Sequence, residues 1–250
     1  MPSPNALYLD LIKRVLANTV YGDPPHPNTW RDSVDYDAAT RARGADWPTV
    51  AHTMIGLERL DNLQHCLETA LADGVPGDVA ETGVWRGGAC VLMRAVLHAA
   101  GDVDRSVWVI DSFEGMPKCS AEDHEADQAM ALHDYNDLLA VPLETVQDNF
   151  ARYGLLDDQV RFLPGWFRDT LPTAPIDRLA VLRLDGDLYE STTDALRHLY
   201  PKLAPGGFLI VDDYFLPSCR DAVHDYRSEH GITEPIQDID GFGAYWRRDR

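Results

Sequence analysis

The sequence predicts an α/β fold: a doubly wound, mostly parallel sheet with an antiparallel last strand, preceded by an N-terminal helical and lid segment. Three observations predict it. From residue 78 onward, short apolar strands alternate with segments of helical period, the pattern of a parallel sheet covered on both faces. The residues directly after those strands are glycines and acids, and a doubly wound sheet binds its ligand beyond the carboxyl ends of its strands. The tail then breaks the rhythm, because 235–240 and 244–248 read as two strands joined by Asp240-Gly241-Phe242-Gly243, a hairpin ending.

Taken in order, residues 6–21 read as an amphipathic helix, since Leu7, Leu11, Val15 and Leu16 recur at helical spacing. The run Gly22-Asp23-Pro24-Pro25-His26-Pro27 ends it, and the polar, aromatic stretch up to Pro48 has the length and composition of a surface lid. A second helix over 51–73 leads through Gly74-Val75-Pro76-Gly77 into a strand at 78–84. There follow a helix at 88–100, a strand at 106–111, an irregular acidic insertion at 113–142 and a helix at 143–153. Strands at 159–163 and 178–184, a helix at 190–202, a strand at 206–211 and a helix at 218–230 complete the core. The whole is one domain, 1–250, with helices and lid in 1–77 and the α/β core in 78–250, a reading that suits 250 residues of 45% hydrophobic composition.

With 22 Lys and Arg against 41 Asp and Glu, the formal charge of −19 repels nucleic-acid phosphates and anionic membrane surfaces. Met1 to Asn5 carries no basic patch of a secretory signal, and no apolar run approaches the roughly 18 residues of a membrane helix. The four cysteines, Cys66, Cys90, Cys119 and Cys219, are scattered without a CxxC pair, as small core residues of a reducing cytosol would be. These readings describe a cytoplasmic protein whose partners include neither nucleic acid nor membrane.

The first strand runs into Glu81-Thr82-Gly83-Val84-Trp85-Arg86-Gly87-Gly88, a glycine-bearing turn that feeds a helix and aims its N–H groups at a ligand. The spacing is neither GxGxxG nor a P-loop, so dinucleotide and phosphate cradles lose weight; a turn that only packs strand on helix stays open. The next strand ends at Asp111-Ser112-Phe113, where an acid is placed to accept hydrogen bonds from a ribose diol. Leu163-Pro164-Gly165-Trp166-Phe167 offers rings for an adenine, or simply core aromatics beneath a loop.

The strand at 178–184 runs into Asp185-Gly186-Asp187, and its neighbour at 206–211 into Asp212-Asp213-Tyr214. Carboxylates converging there repel unless a cation sits between them, and oxygen-only ligation suits a hard ion such as Mg²⁺. Asp185, Asp212 and Asp213 are the candidate metal ligands. The competing role for such acids is helix capping, and Asp187 is able to do both.

With these residues in hand, the chain resembles the macrocin O-methyltransferase family, which finishes deoxysugars on macrolides and, in a sister branch, noviose on novobiocin. The likeness is carried by Tyr8-Leu9-Asp10-Leu11, Pro48-Thr49-Val50-Ala51-His52-Thr53-Met54-Ile55-Gly56, Glu81 to Ala89, Tyr153-Gly154-Leu155-Leu156-Asp157-Asp158, Gly165-Trp166-Phe167, Asp185-Gly186-Asp187 and Val211-Asp212-Asp213-Tyr214. The resemblance implies a class I methyltransferase fold with S-adenosylmethionine contacts at Thr53, Glu81, Gly83, Asp111, Ser112 and Trp166, and Met54, Thr82, Arg86, Gly87 and Phe113 beside them. It also implies Mg²⁺ on Asp185, Asp212 and Asp213, a homo-oligomer, and N-terminal segments closing over the site.

A small glycosylated natural product is then the expected substrate, methylated on a sugar hydroxyl. An alcohol is a poor nucleophile until a metal lowers its pKa and a carboxylate takes its proton, so Asp185 is the candidate catalytic base, with His133 as rival. His133, Tyr135, Asn136 and Asp137 fall in a patch resembling the family's substrate-facing insertion, with Asp137 where macrolide enzymes tend to carry Glu. The segment 23–47 departs from the macrolide branch, whereas Asp187-Leu188-Tyr189-Glu190-Ser191-Thr192 is closer to the noviose type. The alternative acceptor is a catechol-like small phenol, against which the polar insertion 117–142 argues. A nicotinamide-dependent reductase lacks both its glycine fingerprint and a Tyr-x-x-x-Lys pair.

Overall fold

In the computed structural model, which describes residues 1–27 and 35–249, helices α1 (Pro4–Leu16), α2 (Ala38–Ala42) and α3 (Leu57–Ala72) precede strand β1 (Asp78–Thr82). Helix α4 (Gly88–Ala100) leads to β2 (Val107–Asp111), and the insertion carries α5 (Glu125–Met130) and α6 (Asn136–Leu139). Then α7 (Leu143–Arg152) leads to β3 (Val160–Pro164), α8 (Phe167–Thr170) to β4 (Leu179–Leu184), and α9 (Tyr189–Leu199) to β5 (Leu203–Val211). Finally α10 (Pro217–His230) is followed by β6 (Gln237–Asp238) and β7 (Ala244–Arg247). The part of the expected lid at 28–34 lies outside the described residues.

The strands form one sheet in the order β3-β2-β1-β4-β5-β7-β6. The first five are parallel, and β7 runs antiparallel to both β5 and β6, so the expected hairpin ending is present, with β6 reduced to two residues. Every residue of β4 is buried, as a central strand covered on both faces must be. One core layer packs α1, α3, α4 and α7 on the sheet, and the other packs α9 and α10 with Tyr200, Tyr226 and Trp246. All four cysteines are free, and among the described residues no helix is long and apolar enough to cross a membrane.

Two expectations are corrected. Of the stripe Leu7, Leu11, Val15 and Leu16, only Leu16 is buried, while Leu7 and Leu11 are each 56% exposed. A second stripe, Leu9, Ile12 and Leu16, also recurs at helical spacing, and that is the one facing the core. The second helix begins at Leu57 rather than near 51, because Gly56 caps it in an extended conformation against the chain at 42–44, where a Cβ would overlap backbone. Residues 51–56 are thereby free to carry Thr53 to the sheet edge.

Candidate active site

The pairing of Thr82 with Leu184 and of Leu184 with Val211 sets the next residues, Gly83, Asp185 and Asp212, level at the carboxyl edge. The Asp185 amide donates to the Thr82 carbonyl at 2.8 Å, and the Asp212 amide to that of Leu184 at 2.9 Å. Gly83 has φ +81°, and a Cβ there would overlap the Asp185 carbonyl oxygen, so only glycine lets β1 leave the sheet against β4. One carboxylate oxygen from each of Asp185, Asp212 and Asp213 lies within 4.8 Å of the others.

Beneath these acids sit two guanidinium groups. Arg183, the one charge in the apolar strand β4 and 1% exposed, donates to Glu81 and to Asp185 (2.7 Å) and pairs with Asp212. Arg59 of α3 reaches Asp212 at 2.5 Å and Asp240 at 3.0 Å. Two cations therefore face Glu81, Asp185, Asp187, Asp212, Asp213 and Asp240. Burial raises the Asp185 pKa against the pull of Arg183. Burial, then the charges of Asp185, Asp212 and Asp127, push Asp187 up to about 8. Burial, then the charges of Asp187, Asp185 and Asp212, hold the Asp213 pKa well above the usual carboxylate range, and its Oδ2 is buried without a hydrogen-bond partner. A set of hard oxygens carrying more negative than positive charge, with one oxygen lacking a donor, fits a divalent cation such as Mg²⁺. Arg183 and Arg59 supply part of the compensation that sequence reasoning assigned wholly to the metal. The lone arginine in an apolar strand was the signal for it.

The glycine turn is tightly built. Burial raises the Asp111 pKa, countered by the N–H groups of Phe113 (2.8 Å) and Val84 (2.7 Å), so this carboxylate already organises the turn that a ribose would approach. Ser112 donates to the Gly115 carbonyl at 2.9 Å, and Gly165 N–H to that of Asp111 at 2.9 Å, just before Trp166 at the start of α8. Arg86 donates to the carbonyls of Ala51 (2.8 Å) and Pro48 (3.3 Å) and lies 4.0 Å over the Trp85 ring, anchoring the segment that carries Thr53. Gly87, at φ +83°, abuts Val146. Thr82 Oγ1 is buried and unpartnered. The glycines thus answer to packing first.

A cavity of about 430 Å³ opens over the acids. Of the sequence-selected residues, Thr53, Met54, Glu81, Asp185, Asp212 and Asp213 line it; Thr82, Gly83, Arg86, Gly87, Asp111, Ser112, Phe113 and Trp166 do not. Further walls come from the rim Gly44 to Trp47, from Met130, Leu132 and Leu139 of the insertion, and from Phe215, Leu216 and Phe242. None of these residues was selected as a site residue, although 44–47 lie in the expected lid and Met130, Leu132 and Leu139 in the expected insertion.

The insertion residues selected as substrate-facing stand behind that lining. Tyr135 meets Trp47 edge-on at 5.3 Å, His133 Nδ1 is buried without a partner, and Asp137 is exposed. The Asn136 amide is paired at both ends with Met116, at 2.7 and 2.9 Å, and braces that loop. The rim rests on Arg41, 1% exposed, which holds Asp46 at 2.8 Å and Asp23 at 2.6 Å.

The model of the Macrocin-O-methyltransferase (TylF) family matches residues 5–248. The chain is 65% identical, over 96% of its length and 92% of the relative's, to an 8-demethyl-8-(2,3-dimethoxy-alpha-L-rhamnosyl)-tetracenomycin-C 4'-O-methyltransferase of Streptomyces olivaceus. It is 59% identical, over 97% of its length and 96% of the relative's, to a mycinamicin III 3''-O-methyltransferase of Micromonospora griseorubida. Among solved structures, the O-methyltransferase NovP superposes with a TM-score of 0.93 at 55% identity, covering 98% of this chain and 100% of that one.

Proposed function

The chain belongs to the macrocin O-methyltransferase family and is an S-adenosylmethionine-dependent O-methyltransferase, and from that premise we propose that it methylates a sugar hydroxyl of a glycosylated natural product with the help of Mg²⁺. The observation that carries this reading is the convergence of Asp185, Asp212 and Asp213 at the floor of a cavity whose other walls are mostly apolar. The relatives act, by their names, on rhamnosyl-tetracenomycin and mycinamicin. Such acceptors have a hydroxyl-bearing end for the acids and an apolar body for Trp47, Leu132, Leu139 and Phe215. A nucleotide-linked sugar fits less well. Arg59 is the one cationic side chain among the described residues of the lining, and Asp212 and Asp240 already hold it.

In this reading the turn Glu81 to Gly87, with Thr53, Met54, Asp111, Ser112, Phe113 and Trp166, binds S-adenosylmethionine. The methyl–sulfur bond breaks as the methyl–oxygen bond forms, and the acceptor hydroxyl loses its proton. Asp185, Asp212 and Asp213 hold the cation, which when bound supplies Lewis acidity that eases that proton's loss. Asp185 takes the proton, Arg183 orients Asp185 from below, and the Met130 to Leu139 wall excludes water. The exposed side chains of Leu7, Leu11 and Val15 on α1 offer a face for the homo-oligomer that the family resemblance implies.

The test pairs calorimetry of S-adenosylhomocysteine with methyl-transfer assays on deoxysugar glycosides, with Mg²⁺ and with EDTA. Asp185→Asn is expected to lower turnover by about 100-fold or more, the usual share of a general base, while leaving S-adenosylhomocysteine affinity within about twofold. Collapse of that affinity with turnover intact, or full turnover in EDTA, refutes the assignment.

A further inference from the structure

Helix α9 begins two residues after Asp187, yet nothing local caps it: Leu188 stands at the N-cap and offers no side-chain acceptor. The missing cap comes from the insertion. Asp127, 1% exposed, accepts the Tyr189 N–H on both carboxylate oxygens, at 2.9 and 3.0 Å. A carboxylate at a helix N-terminus satisfies orphan donors and complements the helix dipole.

The contact reaches beyond one hydrogen-bond set. His124, one helical turn before Asp127, stacks on the Tyr189 ring at 4.3 Å with the planes 5° apart, and the Tyr189 hydroxyl donates to Asp225 of α10. Ser218 of α10 donates to the Asp187 carbonyl at 2.8 Å. The loop 185–188 is thus held at its start by β1, through Asp185 N–H on Thr82, and just past its end by Asp127. Met130 and Leu132, a turn beyond Asp127, form the cavity wall that faces the acids.

We propose that Asp127 is a positioning residue that fastens the insertion to the acid-bearing loop, so that the apolar wall and the carboxylate floor of the acceptor cavity are set as one unit. The proposal rests on the reading that this cavity holds the methyl acceptor. Asp127 touches no reacting atom, and its effect passes through the first turn of α9.

The experiment compares wild type, Asp127→Ala and Asp127→Asn by amide hydrogen exchange, by calorimetry with S-adenosylhomocysteine, and by acceptor kinetics. Asp127→Ala is expected to raise exchange together in 119–135 and 186–192. The acceptor kcat/KM should fall about tenfold, the size expected for a lost cap, with S-adenosylhomocysteine affinity within about twofold. Asp127→Asn keeps one acceptor oxygen and should recover most of both effects. Faster exchange confined to 189–192, or unchanged acceptor kinetics in the folded alanine variant, overturns the proposal. Should Asp127→Ala fail to fold, the asparagine variant carries the same comparison at smaller amplitude. A wild-type protein that transfers no methyl group defeats the functional reading instead, and leaves the exchange result to stand by itself.

Discussion

Replacing Asp23 by Asn should cost about 2 kcal/mol of stability at neutral pH and loosen the cavity rim. Asp23 is buried and accepts from Val50 N–H and Arg41 at 2.6 Å each, Asn18 at 2.7 Å and Thr49 at 3.1 Å. Burial pushes its pKa up, but those donors outweigh it and lower the value from 3.8 to about 2. At about 1.4 kcal/mol per unit, the difference is worth about 2 kcal/mol. Because the folded pKa is depressed, this stability is fully present above the unfolded value of 3.8 and is lost as pH falls through about 2. Between pH 6 and 8 the gap between wild type and variant is therefore flat. Breaking a buried ion pair outright costs about 3–5 kcal/mol, but Arg41 keeps Asp46, so the lower figure applies. Urea unfolding at pH 6, 7 and 8 measures the gap, and thermal melting should fall by about 4–8 °C for a chain of this length. The acceptor KM should rise as well, since Asp46 and Trp47 line the cavity. Equal stability at pH 7, or a gap that changes across that range, would refute the reasoning.

Two further substitutions probe the floor and the mouth of the cavity. Gly83→Ala forces a positive φ on a side chain whose Cβ overlaps the Asp185 carbonyl; it should cost at least about 2 kcal/mol and abolish turnover, and a variant that melts and turns over like wild type contradicts the packing account. Phe215, 45% exposed and edge-on to Phe242 at 5.0 Å, lines the cavity that the proposed function assigns to the acceptor. Phe215→Ala should raise the acceptor KM about 3- to 10-fold while unfolding shifts by less than about 1 kcal/mol, and an unchanged KM for glycosides with large apolar aglycones removes that contact.

What could be read in advance follows from how local each signal is. The strand tips were legible because a short, continuous apolar run that stops at an acid is written in a few consecutive residues, and parallel neighbours then have to present Asp185 and Asp212 at the same edge. The face of α1 was not, because Leu7-Leu11-Val15 and Leu9-Ile12-Leu16 satisfy the same periodicity and only the packing against α4 selects between them. The cavity wall was illegible for a different reason: Trp47, Leu132, Phe215 and Phe242 come from four separate segments of the chain, and no spacing rule links them. The same holds for the cap on α9, whose donor and acceptor lie 62 residues apart.

The acids show why the partial reading still brought Asp185, Asp212 and Asp213 together. Carboxylates gathered at one edge need compensation whatever supplies it, and Arg183 and Arg59, which were not foreseen, supply part of it here. Those arginines also make the arrangement selective. Arg183 engages Glu81, Asp185 and Asp212, and Arg59 engages Asp212 and Asp240, which leaves Asp213 with an oxygen that no donor reaches. Two guanidiniums alone would favour a closed ion-pair network in a fold's interior. Here Asp185, Asp212 and Asp213 line a cavity that Met54, Leu132 and Phe215 also line, and an acid cluster at an apolar chamber has the polarity that a hydroxyl on a largely apolar molecule requires.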